Sequence, residues 1–295
     1  MSPRIVSSEP FVPHTLQHLI DVRAFPSPLP ETVYNKMLAD YEALSDVSVS
    51  RIVYSSDGLK VTGLMVLPAE MQNGHQPILI YNRGGSREYG KLTVLSALRS
   101  MVPFAKQGYI VFASNYRGND DGEGQEEFGG ADVNDVLNLL TIARATPMWD
   151  SKNAFMIGHS RGGMMTARAI RSGAVLNAAV CIAGVADAHT LAQEPRMVER
   201  ILTPLVPGYT EDPDAALSAR SALDWPEDIK VPLLLLHGDA DKDVSVQASI
   251  RLHAALQKAG KVSELEIYEG GSHSLVRHWD AVLARCLEWL ERYRL

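Results

Sequence analysis

Long apolar runs are missing from this chain: no stretch approaches the roughly 20 residues that cross a bilayer, which excludes a transmembrane helix. Cysteine is nearly absent, with 2 among 295 residues. Cys181 lies inside an apolar run and Cys286 on the apolar face of the last predicted helix, so both read as buried small hydrophobes, not as a disulfide or metal site. No cluster of Lys and Arg occurs and the formal net charge is −7. That balance excludes a general nucleic-acid surface, which needs clustered cations against phosphate. There is no His-Glu-x-x-His or Cys-x-x-Cys pattern, so no metal is expected, and nothing in the chain calls for another cofactor. The glycine-rich stretch 118–130 lacks Gly-Lys-Ser or Gly-Lys-Thr, which favours a flexible rim loop over a phosphate loop. The first residues carry no basic segment followed by an apolar one, so no secretory signal is read and the cytoplasm is the expected compartment. No repeat of 20 to 50 residues is visible.

What is present is the composition of an ordinary soluble globular protein, 46% hydrophobic and 21% charged. One α/β domain of about 250 residues with an appendage is the natural organisation. Residues 1–50 form that appendage, a proline-punctuated arm followed by an amphipathic helix over 31–44. Val33, Met37, Tyr41 and Leu44 give the helix an apolar stripe that must cover either the main domain or a second copy of the chain, so a homodimer is one of the expectations.

From residue 51 onward the domain opens with two strands joined at Asp57-Gly58, a strong hairpin signal. After them the rhythm becomes strand, loop, helix. Strands are expected over 77–81, 109–114, 154–157, 177–182, 231–237 and 264–268. Helices are expected over 92–107, 131–145, 164–170, 245–260 and 276–292. Such alternation predicts a mostly parallel central sheet with helices on both faces. About 45 residues between Gly184 and Lys230 break the rhythm with five prolines, and a helical cap insertion over residues 185–230 is the reading.

The chemistry centres on Gly158-His159-Ser160-Arg161-Gly162-Gly163, which follows a short apolar strand and precedes a small-residue helix. A serine hydroxyl is a weak nucleophile unless a tight turn presents it to a base and to amide donors, and this is the arrangement of a nucleophile elbow. Glycines at 158 and 162 leave room for the turn. An acid and a histidine follow in the order that a Ser-acid-His triad takes on a parallel sheet, each after a predicted strand. The first candidates are Asp239, Asp241 and Asp243 after the strand ending at His237. The second are His273, in Gly270-Gly271-Ser272-His273, and His278 a little further on.

These segments resemble the catalytic domain of the prolyl oligopeptidase family, of α/β-hydrolase fold. Gly-His-Ser-Arg-Gly-Gly is similar to the family's Gly-x-Ser-x-Gly-Gly elbow. His237-Gly238-Asp239-Ala240-Asp241-Lys242-Asp243-Val244 is similar to its His-Gly-x-x-Asp-x-x-Val segment, and the run to His273 to its terminal Gly-x-x-His. The resemblance runs from about residue 51 to the end. It implies Ser160 as nucleophile, Asp241 as triad acid and His273 as base, with His159 and His237 as packing residues. Where the family often has His-Gly-Gly or Tyr-Gly-Gly, this chain has Tyr81-Asn82-Arg83-Gly84-Gly85. The oxyanion donors are therefore the amide of Arg161 together with Gly84 of the following loop or the Tyr81 hydroxyl. Arg83, Gly85 and the Arg161 side chain are candidates for binding substrate, the arginines through a carboxylate. Fifty residues ahead of the domain are too few for the β-propeller of the family's large peptidases. The expected activity is acyl transfer to water from a short peptide or a small carboxylic ester, with a non-catalytic binding protein of the same fold as the remaining alternative.

Overall fold

The computed structural model describes residues 2–11, 31, 35, 38, 39, 42–70 and 75–295. Among the described residues nine strands form one sheet: β1 (Ile5–Pro10), β2 (Val47–Ser56), β3 (Leu59–Pro68), β4 (Gln76–Asn82), β5 (Ile110–Ser114), β6 (Trp149–His159), β7 (Ala178–Ile182), β8 (Leu233–Gly238) and β9 (Ser263–Tyr268). Their order is β1-β2-β3-β5-β4-β6-β7-β8-β9. The first three strands and β5 pair antiparallel, and from β5 through β4 to β9 every pairing is parallel. This is the mostly parallel α/β-hydrolase sheet that the sequence predicts.

Strands β4, β5, β7 and β8 are buried along their whole length, which is why they read as unbroken apolar runs and not as alternating ones. Alternate residues still face opposite sides. Ile78, Ile80, Met156 and Leu235 pack with the helices Val133–Ala145, Arg161–Arg171 and Val246–Lys258. Leu79, Tyr81, Phe155 and Leu234 face the other way, toward the helices Val94–Ser100 and Trp279–Arg292. Among the described residues Cys181 and Cys286 are free and buried, one in each of these two layers.

The β2–β3 hairpin closes with Ser56 opposite Leu59, and both turn residues have positive φ, 51° at Asp57 and 85° at Gly58. That is the two-residue turn whose twist matches paired strands. Two expectations change, and a third falls outside the described residues. The arm is not irregular throughout: residues 5–10 extend the sheet as β1 by pairing with β2, which itself begins at Val47. The helix expected over 92–107 is two, Val94–Ser100 and Val102–Ala105, broken at Met101 where the backbone leaves helical geometry ahead of Pro103. The helix expected over 31–44, and with it the stripe of Val33, Met37 and Tyr41, lies largely outside the described residues. Residues 185–230 hold no strand and fold as short helical turns, among them Ala188–Gln193, Val198–Leu202 and Pro213–Ser218. Among the described residues no helix is long and apolar enough to cross a membrane.

Candidate active site

The strand β6 is central in the sheet and ends at the carboxyl edge, where parallel sheets place their sites. The chain then turns sharply at Ser160, whose backbone sits at φ 57°, ψ −122°. L-residues avoid that region, at a cost of order 1–3 kcal/mol, so the surroundings must hold it. They do so with hydrogen bonds from the Ser160 amide to Ile182 O (2.9 Å) and from the amides of Gly163 (2.9 Å) and Val185 (3.2 Å) to the Ser160 carbonyl. The flanking glycines let the turn close. A methyl group on Gly158 would lie 1.9 Å from Gly162 O, and one on Gly162 would lie 1.9 Å from Asn82 O.

Ser160, His273 and Asp241 meet, although the loops that carry them follow three different strands. His273 Nε2 lies 2.9 Å from Ser160 Oγ, and His273 Nδ1 lies 2.8 Å from Asp241 Oδ2. Asp241 is fixed from its other side as well: Oδ1 accepts from the amides of Asp243 (2.9 Å) and Val244 (3.0 Å). Burial alone would raise its pKa, but the hydrogen bonds from His237, His273 and these two amides outweigh it and hold the carboxyl below the ordinary carboxylate range. The rival acids have other work. Asp239 Oδ1 accepts from the Gly270 amide at 2.7 Å and so ties the acid loop to the histidine loop. Asp243 is exposed at the rim, and His278 stacks on Tyr268, 5.4 Å between centroids.

Two histidines read only as packing residues do more than pack. His237 is fully buried at the end of β8, with Nε2 3.0 Å from Asp241 Oδ2 and 3.0 Å from Val244 O. Both neighbours are acceptors, so Nε2 carries the hydrogen and donates to the same carboxylate oxygen that His273 uses. Nδ1 is held by Ser249 Oγ at 2.8 Å. The signal available in the sequence was a histidine four residues ahead of the acid, across the strand end. His159 Nε2 donates to the His273 carbonyl at 3.0 Å, and the two rings lie 5.1 Å apart. Burial pushes the pKa of His159 down to about 4, which keeps this neighbour of the base uncharged.

The expected oxyanion donors sit as follows. Arg161 is the first residue of the helix Arg161–Arg171, so its amide has no partner within the helix and points out at the N-terminal end. Gly84 packs directly on Ser160: a methyl group there would lie 3.1 Å from Ser160 Cβ. Tyr81 lines the cleft beside Ser160, but its buried hydroxyl lies against the Ser100 hydroxyl.

The arginines are corrected. Arg83 is buried and donates to four carbonyls: Gly84 (3.1 Å), Tyr89 (3.1 Å), Arg87 (3.1 Å) and Asn115 (2.9 Å from Nη2, with Nε also bonded there). Arg161 is buried as well, ion-paired with Glu126 and with Asp132 and donating to Gly85 O at 3.0 Å. Its guanidinium lies over the rings of Tyr116 and Phe128, and the Tyr116 hydroxyl donates to Arg83 O at 3.0 Å. Arg83 spends its donors on backbone carbonyls around the loop that carries Gly84 and Gly85, and the Arg161 charge is already paired with Glu126 and Asp132, so neither faces a substrate carboxylate as expected. Gly85 itself lines the substrate space.

Ser160 and His273 stand between two cavities and line both. The smaller, about 260 Å³, is walled by Phe128, Val185, Val244 and by Leu191, Met197 and Ile201 of the segment 185–230. The larger, about 480 Å³, is walled by Tyr89, Leu92, Leu95, Arg99 and Trp279.

Comparison with known proteins agrees with this geometry. A model of the prolyl oligopeptidase family matches residues 96–294. The chain is 30% identical over 256 residues to the uncharacterized peptidase YtmA of Bacillus subtilis (strain 168), a match covering 86% of this chain and 91% of the relative. Dipeptidyl-peptidase 5 of Porphyromonas gingivalis is 24% identical over 282 residues, covering 89% of this chain but 40% of the relative. Among solved structures, acylaminoacyl peptidase of Pyrococcus horikoshii superposes with a TM-score of 0.73 at 21% identity, over 88% of this chain and 44% of that one. The chain thus spans most of the first relative's length and less than half of the other two.

Proposed function

The chain belongs to the prolyl oligopeptidase family, and on that premise we propose that it is a serine peptidase that cleaves short peptides through an acyl-enzyme. The observation that carries the reading is the unbroken hydrogen-bonded series Ser160 Oγ, His273 Nε2, His273 Nδ1, Asp241 Oδ2 at 2.9 and 2.8 Å. Nδ1 faces a carboxylate and holds its hydrogen there, which leaves Nε2 to take the Ser160 proton as Oγ attacks the scissile carbonyl. Negative charge then builds on the carbonyl oxygen, where the amides of Arg161 and Gly84 receive it. Loss of one such donor typically lowers the rate about 10²- to 10³-fold. His273 returns the proton to the departing amine, and water, deprotonated by the same nitrogen, releases the acyl group from Ser160.

The apolar recess beside Leu191, Met197 and Ile201 suits an apolar side chain on the acyl half. Wild-type protein is expected to be labelled by a fluorophosphonate and Ser160→Ala is not; equal labelling of the two would remove the mechanism. A panel of aminoacyl p-nitroanilides and p-nitrophenyl esters then separates peptidase from esterase, with measurable anilide turnover the expected result.

A further inference from the structure

The larger cavity carries a charge that the mechanism does not use. Among the described residues no aspartate or glutamate lines it, and its two arginines are Arg83, whose donors are all bonded to carbonyls, and Arg99. Arg99 is aimed and held. Its guanidinium lies over the Trp279 ring at 4.3 Å, the Trp279 indole donates back to Arg99 O at 3.1 Å, and Nη2 donates to Ser274 O at 2.5 Å. Among the described residues no carboxylate lies within ion-pair distance of it, whereas Arg161, which lines the neighbouring cavity, is paired with Glu126 and Asp132. Arg99 is exposed, sits in the last turn of the helix Val94–Ser100, a position that suits a cation, and lines the cleft.

We propose that Arg99 is an anion subsite, and that the preferred substrates are short peptides whose free α-carboxylate, carried on the leaving fragment, lies in this cleft. The inference rests on Ser160 being the nucleophile. In a peptide the free carboxylate always belongs to the fragment that departs as the amine. Ser274, to which Arg99 is tethered, directly follows His273, so the subsite stands beside the group that protonates that amine. The cleft offers no acid to an N-terminal ammonium, which sets the polarity of the substrate in the same direction. A guanidinium matches a carboxylate in geometry as well as in charge.

The test compares an N-acetylated dipeptide with a free C-terminal carboxylate against its C-terminal carboxamide. The ratio of their kcat/KM values is the readout, because it cancels any loosening of the histidine loop. Wild type is expected to prefer the acid by about tenfold or more. Arg99→Met brings the ratio near one, and Arg99→Lys restores part of it. A wild-type ratio near one, or a ratio that Arg99→Met leaves intact, overturns the proposal; the wild-type measurement decides even if the methionine variant fails to fold. Calorimetry on Ser160→Ala with the same two peptides reads the subsite without turnover: tighter binding of the acid supports it, and equal binding overturns it. Fluorophosphonate labelling of Ser160 reports separately on the nucleophile, so failure of the subsite and failure of the hydrolase reading are distinct results.

Discussion

Asp241 Oδ2 accepts from two imidazoles at once, His273 at 2.8 Å and His237 at 3.0 Å. The first leads to the nucleophile, and the second fixes the carboxylate against β8. Replacing His237 with Phe keeps the volume and removes the donor. The expected effect is a fall in kcat/KM of about 10- to 100-fold, the scale of a slight misplacement of a reacting group. The sign of the accompanying pH effect follows from Asp241. Its carboxyl is held low partly by His237, activity needs it ionised, and losing that bond raises its pKa. The part of the acid-side loss of kcat/KM that belongs to protonation of Asp241 should therefore set in at higher pH in His237→Phe, with His237→Asn between. An unmoved onset with reduced rate would make the contact a packing one. At this scale the meeting of Ser160, Asp241 and His273 was legible because motif spacing singles these three out. The partner roles of His237 and His159 were not, since spacing does not say which way a ring nitrogen points. Arg83 and Arg161 misled for the same reason: a cation beside a nucleophile reads as a substrate ligand until its carbonyl and carboxylate partners are visible.

The strand β6, its turn and the helix Arg161–Arg171 work as one element, and two glycines permit it. Glycine within a helix is ordinarily a weakness, and its replacement by alanine stabilises by about 1 kcal/mol. Gly162 reverses that expectation, because the added methyl would lie 1.9 Å from the Asn82 carbonyl. Gly162→Ala is expected to destabilise by about 2–4 kcal/mol, read from the urea midpoint at constant slope, and to slow fluorophosphonate labelling as Ser160 shifts. A midpoint unchanged or raised would mean that the helix and β4 do not approach as described. The elements with strong periodicity were legible, buried strands as apolar runs and long helices as stripes. The strand β1 was not, because Ser7, Ser8 and Pro10 give no apolar alternation and its residues are mostly exposed. It is held by backbone pairing to β2 rather than by burial.

Across the whole molecule, the sheet places the site and the segments between strands decide what fits it. Residues 185–230 stand out in the sequence by their length and prolines, but their path depends on which surface they cover. That surface is the recess beside Ser160, closed by Leu191, Met197 and Ile201. The opposite cavity is shaped by parts far apart in the chain, Tyr89, Arg99 and Trp279, so no local pattern announces it.

The sheet order carries a last consequence. Ser160 follows the inner strand β6, whereas Asp241 and His273 hang from β8 and from β9, which among the described residues is a border strand with one neighbour and half-exposed side chains. Asp239 to Gly270, and Ala240 to Gly271 at 3.0 Å, are the stitches that keep those two loops in register. Marginal strands peel away at lower free energy than the interior. Heating should therefore silence the enzyme reversibly a few degrees before the far-ultraviolet dichroism signal collapses. Coincident curves would mean that border and interior melt as one.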